Sequence, residues 1–185
     1  MSEKKVLMDS QALRAALDQM AQDLLALKPD AERLGLVGIR TRGINLAERL
    51  KTRLDHLCGI DVPMGVLDIT LYRDDLSTLA QQPLVGRTTL PFDVEGREVV
   101  LVDDVLYTGR TVRAAMDAIV DYGRPQRIIL AVLVDRGCRE YPIQPDVTAL
   151  RIETKPSHNV KVRFSEVDGE ESVILVTRGQ DDTQF

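Results

Sequence analysis

The segment with the most chemically useful side chains runs over residues 99–111 and reads VVLVDDVLYTGRT. Its apolar first half ends in two adjacent carboxylates, Asp103 and Asp104, and a glycine-containing turn with hydroxyl groups follows. The carboxylates suit the vicinal hydroxyls of a sugar, or a Mg²⁺ ion bound to them. The backbone N–H groups of such a turn, together with a helix N-terminus, suit a phosphate monoester. The segment is therefore typical of a sugar-phosphate site.

The expected phosphate contacts come from the turn itself: Tyr107, Thr108, Gly109, Arg110 and Thr111. An acidic pair alone more often caps a strand and the turn after it, but here the acidic pair, the small residues and the strand context coincide. Rival phosphate motifs are absent. The sequence has no GxxxxGK[ST] string, and Gly35, Gly38 and Gly43 are spaced wrongly for GxGxxG.

A second turn with chemical potential reads GIRTRG over residues 38–43. Its side chains Arg40, Thr41 and Arg42 could clamp a diphosphate through charge-assisted hydrogen bonds. Two surface arginines alone are usually solvated. These two precede a helix on the same predicted sheet edge as the acidic pair, which favours one shared site.

Two further regions supply candidate cations. Residues 73–94 mix charge, Gln, Pro and Gly with little periodicity, which predicts a mobile loop that closes over the substrate and carries Arg87. Arg136 follows the last buried strand and is assigned to the diphosphate, with a structural salt bridge as the alternative.

The elements that must position these residues alternate between strand and helix. Helices are predicted from Asp9 or Ser10 to near Pro29, over 44–54 and over 111–122, and strands over 34–39, 64–72, 99–102, 128–134 and 172–176. This order predicts an α/β fold with a central parallel sheet flanked by helices. Beyond Asp135 the pattern breaks into short pieces, which predicts a small cap, or hood, over about 135–165.

Composition fits one globular domain. The chain has 185 residues, 44% hydrophobic and 29% charged, with a net charge of −5. We predict a single domain over 1–178 and a disordered tail over 179–185. The longest apolar run, 128–134, is far shorter than the roughly 20 residues of a membrane helix, and no signal-peptide core follows Met1. A cytoplasmic protein without membrane or DNA partners is expected.

Metal and redox motifs are also missing. Cys58 and Cys138 lie far apart, and His56 and His158 are the only histidines, so no His/Cys cluster exists for a transition metal. The sequence leaves open a Mg²⁺ site formed by carboxylates, water and a phosphate substrate.

Four strings carry a resemblance to a known family: LDITLYRDDL at 67–76, LVDDVLYTGRTVRAAMDA at 101–118, DYGRP at 121–125 and AVLVDRG at 131–137. They are similar to the PyrR family, which combines pyrimidine operon attenuator and uracil phosphoribosyltransferase. The string over 99–111 also resembles the 5-phosphoribosyl-1-pyrophosphate (PRPP) signature of type I phosphoribosyltransferases. The similarity runs from about residue 4 to 140 and more weakly to about 176.

The resemblance implies a type I phosphoribosyltransferase fold that converts uracil and PRPP to UMP and pyrophosphate with Mg²⁺, in a homodimer or higher homo-oligomer. It implies catalytic roles for Asp103, Asp104 and Arg87, and a cis peptide in the turn around Arg40. The stretch aligned with 154–162 implies a hood over uracil, with Val160 beside the base. A phosphoribosyltransferase for another base is an alternative.

The other alternative is a UMP- or PRPP-sensing regulator that binds messenger RNA. RNA-binding relatives carry basic or small residues where this chain has other types, at Asp18, Gln22, Leu27, Cys138, Gln144, Leu150 and Glu153. Arg139 alone is retained among the basic cap positions. Because each lost cation weakens phosphate binding, these changes disfavour RNA binding.

Overall fold

The computed structural model describes residues 3–70 and 87–177. In chain order the elements are β1 (Glu3–Met8), α1 (Ser10–Ala26), β2 (Leu34–Ile39), α2 (Arg42–Cys58), β3 (Met64–Leu67), β4 (Glu98–Leu106), α3 (Arg110–Val120), β5 (Arg127–Asp135), β6 (Val147–Arg151), β7 (His158–Arg163), α4 (Ser165–Asp168) and β8 (Ser172–Thr177). The alternation of strand and helix predicted for the central part of the chain is confirmed.

The main sheet has five strands in the order β3-β2-β4-β5-β6, and every neighbouring pair is parallel. The chain moves outward from β2 to β3 and then crosses back to β4 on the other side of β2. The connections therefore reverse direction between β2 and β4. In open α/β sheets, ligands bind beyond the carboxyl ends of the strands at such a switch point.

The centre of the sheet is buried on both faces, as the run of apolar residues in β4 predicted. Val100 and Val102 pack with α1 and α2 in one apolar cluster, whereas Val99 and Leu101 pack with α3 in a second. Successive side chains of a strand point to opposite faces, so a continuous apolar run is what a strand between two helical layers requires.

A second, antiparallel sheet of three strands has the order β1-β8-β7 and is called the hood sheet below. It differs from the predicted cap in two ways. The first strand of the chain, β1, pairs with the last, β8, although the sequence analysis assigned no element to residues 3–8. Strand β6 lies within the predicted cap span of 135–165 but extends the main sheet beside β5.

Local hydrogen bonds explain where several elements begin or end. The Asp9 carboxylate accepts a 2.8 Å bond from the Ala12 N–H and caps α1, as predicted. Strand β3 ends at Leu67, five residues before the predicted end, because the Asp68 carboxylate accepts from both the N–H and the hydroxyl of Thr70. Strand β4 continues through the acidic pair to Leu106, which pairs with Asp135 of β5.

Residues 73–86 of the predicted mobile loop and the whole of the predicted tail over 179–185 lie outside the described residues. Of the described part, Thr89 forms an antiparallel bridge with Val66 of β3, and Val94 is buried in the α3 side of the core. Among the described residues, no helix combines the length and apolarity needed to span a membrane.

Candidate functional site

The switch point brings together the two turns selected from the sequence. Residues 40–42 follow β2, where the Arg40–Thr41 peptide is cis, and Asp103 and Asp104 lie near the end of neighbouring β4. Gly43 makes this proximity possible. A Cβ at Gly43 would lie 2.6 Å from the Val102 carbonyl oxygen and 3.4 Å from Oδ1 of Asp103, so only glycine lets α2 begin directly against β4.

Replacing Gly43 with Ala is therefore expected to push α2 away from β4 and to lower the free energy of unfolding by about 1 kcal/mol, a typical cost of overpacking. Chemical denaturation measures this change, with the exposed Glu48→Ala on the same helix as control. Equal stability of the two variants would contradict the close approach.

A cleft of about 460 Å³ opens at this edge of the sheet. It is lined by the turn after β2, the turn after β3, the end of β4 and the first turn of α3: Arg40, Thr41, Arg42, Asp68, Ile69, Thr70, Asp103, Asp104, Val105 and Thr111. The predicted diphosphate turn and the predicted acidic pair thus face one space, which we call the main cleft.

A second cavity of about 360 Å³ lies between this edge and the hood sheet. Its lining consists of Arg42, Asp104, Val160, Lys161, Val162, Arg163 and Asp168, and it is called the hood cavity below. Arg42 and Asp104 line both spaces. Both volumes fall within the range of small-molecule sites, about 300–1,000 Å³. The arrangement can therefore hold two reactants that meet between Arg42 and Asp104.

The acidic pair is held in a conformation that costs electrostatic energy. Oδ1 of Asp103 accepts the Asp104 N–H at 3.0 Å, and Oδ1 of Asp104 accepts the Val105 N–H at 3.0 Å. Burial raises the pKa of Asp103 well above its ordinary range, and the neighbouring Asp104 charge adds to this rise. Burial also raises the pKa of Asp104, although hydrogen bonds and the Arg42 charge act in the opposite direction.

These carboxylates suit a divalent cation brought by a substrate. No group of three or more His, Cys, Asp or Glu side chains in residues 3–70 and 87–177 is arranged to hold a metal ion. Two carboxylates supply only part of an octahedral Mg²⁺ shell, and phosphate oxygens and water commonly supply the rest. A cation there would also offset the cost of burying the two carboxylates, which raises the pKa of both, so the residues present fit Mg²⁺.

The raised pKa of Asp103 predicts a pH dependence of stability. The folded chain holds a proton on Asp103 more tightly than the unfolded chain, so the free energy of unfolding falls as pH rises from the ordinary Asp range through the raised pKa. Asp103→Asn is expected to flatten this slope and to stabilise the ligand-free protein at neutral pH by on the order of 1 kcal/mol, as relief of a strained functional site commonly does. Denaturation with a metal chelator across a pH series measures both effects; a steeper slope in the variant would contradict the assignment.

The predicted phosphate turn connects β4 to α3. Gly109 has φ +92° and caps α3, and Thr111 in the first turn of that helix lines the main cleft. The Thr108 carbonyl accepts two backbone N–H groups, from Glu140 and Tyr141, which fixes the turn. The Arg110 guanidinium pairs with the Glu140 carboxylate at 2.6 Å, so its charge lies against that segment.

Arg40 links the diphosphate turn to neighbouring segments. Its Nε lies 3.5 Å from Oδ2 of Asp68, and its Nη2 donates to the Arg87 carbonyl at 3.5 Å. The backbone of Arg87 is therefore beside the main cleft, and its side chain is exposed.

Comparison with known proteins identifies the family. Residues 5–167 match the model of the phosphoribosyl transferase domain. A relative from Pelotomaculum thermopropionicum named "Bifunctional protein PyrR" is 52% identical over 94% of this chain and 96% of its own length. A protein of the same name from Listeria monocytogenes is 50% identical over 97% of this chain and all of its own length. The chain belongs to the PyrR family.

The fold of this PyrR-family chain is similar to that of solved structures. A hypoxanthine phosphoribosyltransferase from Staphylococcus aureus superposes with a TM-score of 0.70 at 16% identity, covering 96% of this chain and 94% of the other. The fold is thus that of type I phosphoribosyltransferases, as predicted.

One predicted diphosphate ligand lies elsewhere in this PyrR-family chain. Arg136 is 5% exposed and is not among the residues that line the main cleft. Its guanidinium donates to the Thr154 hydroxyl and to the carbonyls of Lys155 and His158, and lies 3.9 Å from the Tyr107 ring centre. Arg136 therefore ties the phosphate turn to residues 154–158 through neutral acceptors and a ring contact, and these are not the salt bridge given as the alternative. Its assignment to the diphosphate stays a prediction.

Two acidic residues of the site were missed in the sequence. Asp68 lines the main cleft and Asp168 lines the hood cavity. Asp68 stands inside the string LDITLYRDDL that carried the family resemblance, so the string contained the signal, but no separate motif marked it. Asp168 ends the short helix α4, which has no phosphate-like turn, and its hydrogen bond with Arg42 of α2 brings it to the site.

Proposed function

We propose that the protein is a uracil phosphoribosyltransferase, which transfers the phosphoribosyl group of PRPP to uracil and gives UMP and pyrophosphate. The observation that carries this proposal is the pair of adjoining cavities that share Arg42 and Asp104. A group-transfer enzyme with two substrates needs the donor and the acceptor on either side of the reacting atom.

The main cleft suits PRPP. The turn over residues 107–111 would bind the 5-phosphate, and Asp103 and Asp104 would hold the ribose hydroxyls or the waters of Mg²⁺. The diphosphate would lie against Arg40, Thr41 and Arg42, whose backbone and guanidinium donors suit its oxygens. Arg87, whose backbone lies beside Arg40, would approach the same group.

The hood cavity suits the base. Val160 and Val162 lie on strand β7 with their side chains in the main apolar cluster, and β7 lines this cavity, where its backbone groups could meet the edge of a planar ring. Because this cavity meets the main cleft at Asp104 and Arg42, a ring nitrogen could reach the ribose carbon that bears the diphosphate.

The chemistry needs charge stabilisation rather than a covalent nucleophile. As the ribose–diphosphate bond breaks, negative charge grows on the leaving group and the ribose carbon gains oxocarbenium character. Arg42 and Arg40 would be preorganised against the leaving charge, and the ionised acidic pair would face the electron-poor ribose. Mg²⁺, when bound, would neutralise part of the diphosphate charge.

Pyrophosphate release from PRPP with Mg²⁺ and uracil, with UMP identified by chromatography, tests this proposal. Release that depends on uracil is the expected result. A panel of other bases in the same assay separates the alternative of another acceptor. Pyrophosphate release with a purine but not with uracil would overturn uracil as the substrate.

Regulation through RNA is a second candidate, because the relatives that share half of the sequence carry the word bifunctional in their names. Two observations weigh against it. The Arg139 guanidinium is committed internally, to the Asp135 carboxylate at 2.6 Å and to the carbonyls of Ile143, Tyr107 and Gly137. Asp18 adds negative charge on α1, in an ion pair with Arg53.

Filter binding of the transcript upstream of a pyrimidine operon, with and without UMP, tests the RNA function. Retention that depends on UMP and falls steeply with salt would establish it. The proposal also includes assembly as a homodimer or higher homo-oligomer, which sedimentation equilibrium measures.

A further inference from the structure

We infer that Asp168, at the end of α4, is a positioning residue for Arg42 and thereby couples the hood sheet to the main cleft. The inference rests on the proposed function, because it concerns how Arg42 meets the diphosphate of PRPP. It is carried by the hydrogen bonds of these two side chains and by their place between the two cavities.

Arg42 is held by one end of its guanidinium. Its Nη2 donates to Oδ1 of Asp168 at 2.8 Å. Its Nε is buried and finds no hydrogen-bond partner among the described residues. A buried donor without a partner is costly in a folded protein and commonly marks the place of a ligand or an ordered water. The Arg42 side chain is thus oriented by Asp168 with unused donor capacity at the site.

Asp168 is itself anchored to the core. Its Oδ2 accepts the Phe164 N–H at 3.0 Å, and its own N–H donates to the Phe164 carbonyl at 2.7 Å. The Phe164 side chain is fully buried in the main apolar cluster. The hydrogen bond from Arg42 also lowers the pKa of Asp168, so its carboxylate is ionised at neutral pH. The position of α4, between strands β7 and β8 of the hood sheet, therefore sets the orientation of Arg42.

A neighbouring ion pair supplies a matched control. Two residues before Asp168, Glu166 accepts from Arg49 at 2.8 Å, again joining α4 to α2. Neither Glu166 nor Arg49 lines the main cleft or the hood cavity. Glu166→Gln thus weakens the attachment of α4 without touching Arg42.

A double-mutant cycle on PRPP affinity tests the inference, with calorimetry in Mg²⁺ buffer without base so that no turnover occurs. Asp168→Ala is expected to weaken PRPP binding about tenfold in the otherwise unchanged protein and less than twofold in the Arg42→Ala background. Glu166→Gln is expected to leave PRPP affinity unchanged while lowering the melting temperature. In steady state, Asp168→Ala is expected to raise KM for PRPP far more than it lowers kcat.

The outcomes separate the inference from the proposed function. Failure of the unchanged protein to bind PRPP would overturn the proposed function, and the inference with it. The protein could bind PRPP while Asp168→Ala weakens PRPP binding by the same factor in the unchanged protein and in the Arg42→Ala background. Asp168 would then not act through Arg42, and the inference would be wrong. Tighter PRPP binding in Asp168→Ala would likewise overturn it, because Asp168 would then only compete with the diphosphate for Arg42. Melting curves for each variant show whether the folded protein is being compared.

Discussion

Replacing Arg42 with Ala is expected to lower kcat/KM for PRPP about a hundredfold, or about 2.7 kcal/mol of transition-state stabilisation. Arg42 lines both cavities, and its Nε is a buried donor without a partner in the described part of the chain. In the proposed reaction it faces the leaving diphosphate from the ground state to the transition state. Steady-state kinetics with varied PRPP and saturating uracil measures the change.

Arg33→Ala is the matched control, because Arg33 precedes β2 and Arg42 follows the same strand at its other end. Arg33 pairs with Asp30 on the surface, and its side chain is 60% exposed. Its replacement is expected to leave kcat/KM within about twofold, since exposed ion pairs contribute little. Equal losses in the two variants would indicate a general effect of charge and would remove Arg42 from the site.

Replacing Asp104 with Asn is expected to lower kcat/KM at least tenfold, or about 1.4 kcal/mol. The change keeps the shape of the side chain and removes the charge that would face the ribose or the waters of Mg²⁺. Because Asp104 lines both cavities, the loss is expected in turnover as well as in PRPP binding. Pyrophosphate release at several Mg²⁺ concentrations measures both.

Glu98→Gln at the opposite end of β4 provides the comparison for Asp104. Glu98 is buried and pairs with Arg127 at 2.8 Å, so this change is expected to lower the melting temperature without altering kcat/KM in the folded protein. Full turnover in Asp104→Asn, with Glu98→Gln less stable as expected, would sink the assignment of Asp104 to the reaction.

The acidic pair illustrates a cost of function within the fold. Asp103 and Asp104 are adjacent, and burial raises the pKa of both. Two apolar residues would suit this part of β4 better in the absence of ligand. Such local instability at a site commonly accompanies binding of a cation or a polar ligand that relieves it.

The central sheet and the two turns that carry the candidate site could be predicted from local sequence patterns. Strand β2 has its predicted bounds, and Asp9 caps α1, because a buried strand and a helix cap each depend on residues close together in the chain. The proximity of residues 40–42 to Asp103 and Asp104 could also be predicted, because both sets of residues lie at the carboxyl ends of strands in the same parallel sheet. Gly43, directly after residues 40–42, allows the close approach to β4 that this proximity requires.

The hood sheet and the partners of the arginines could not be predicted, because they depend on contacts between residues far apart in the chain. The pairing of β1 with β8 joins the two ends of the described chain, and the mixed charge of residues 3–8 gives no local strand signal. Arg136 and Arg42 are alike in sequence, each next to a glycine after a buried strand. The Arg136 guanidinium donates to the carbonyls of Lys155 and His158, whereas the Arg42 guanidinium is oriented by Asp168 between two cavities. A guanidinium binds whichever acceptors the fold brings within about 3 Å, and those acceptors lie far away in the chain.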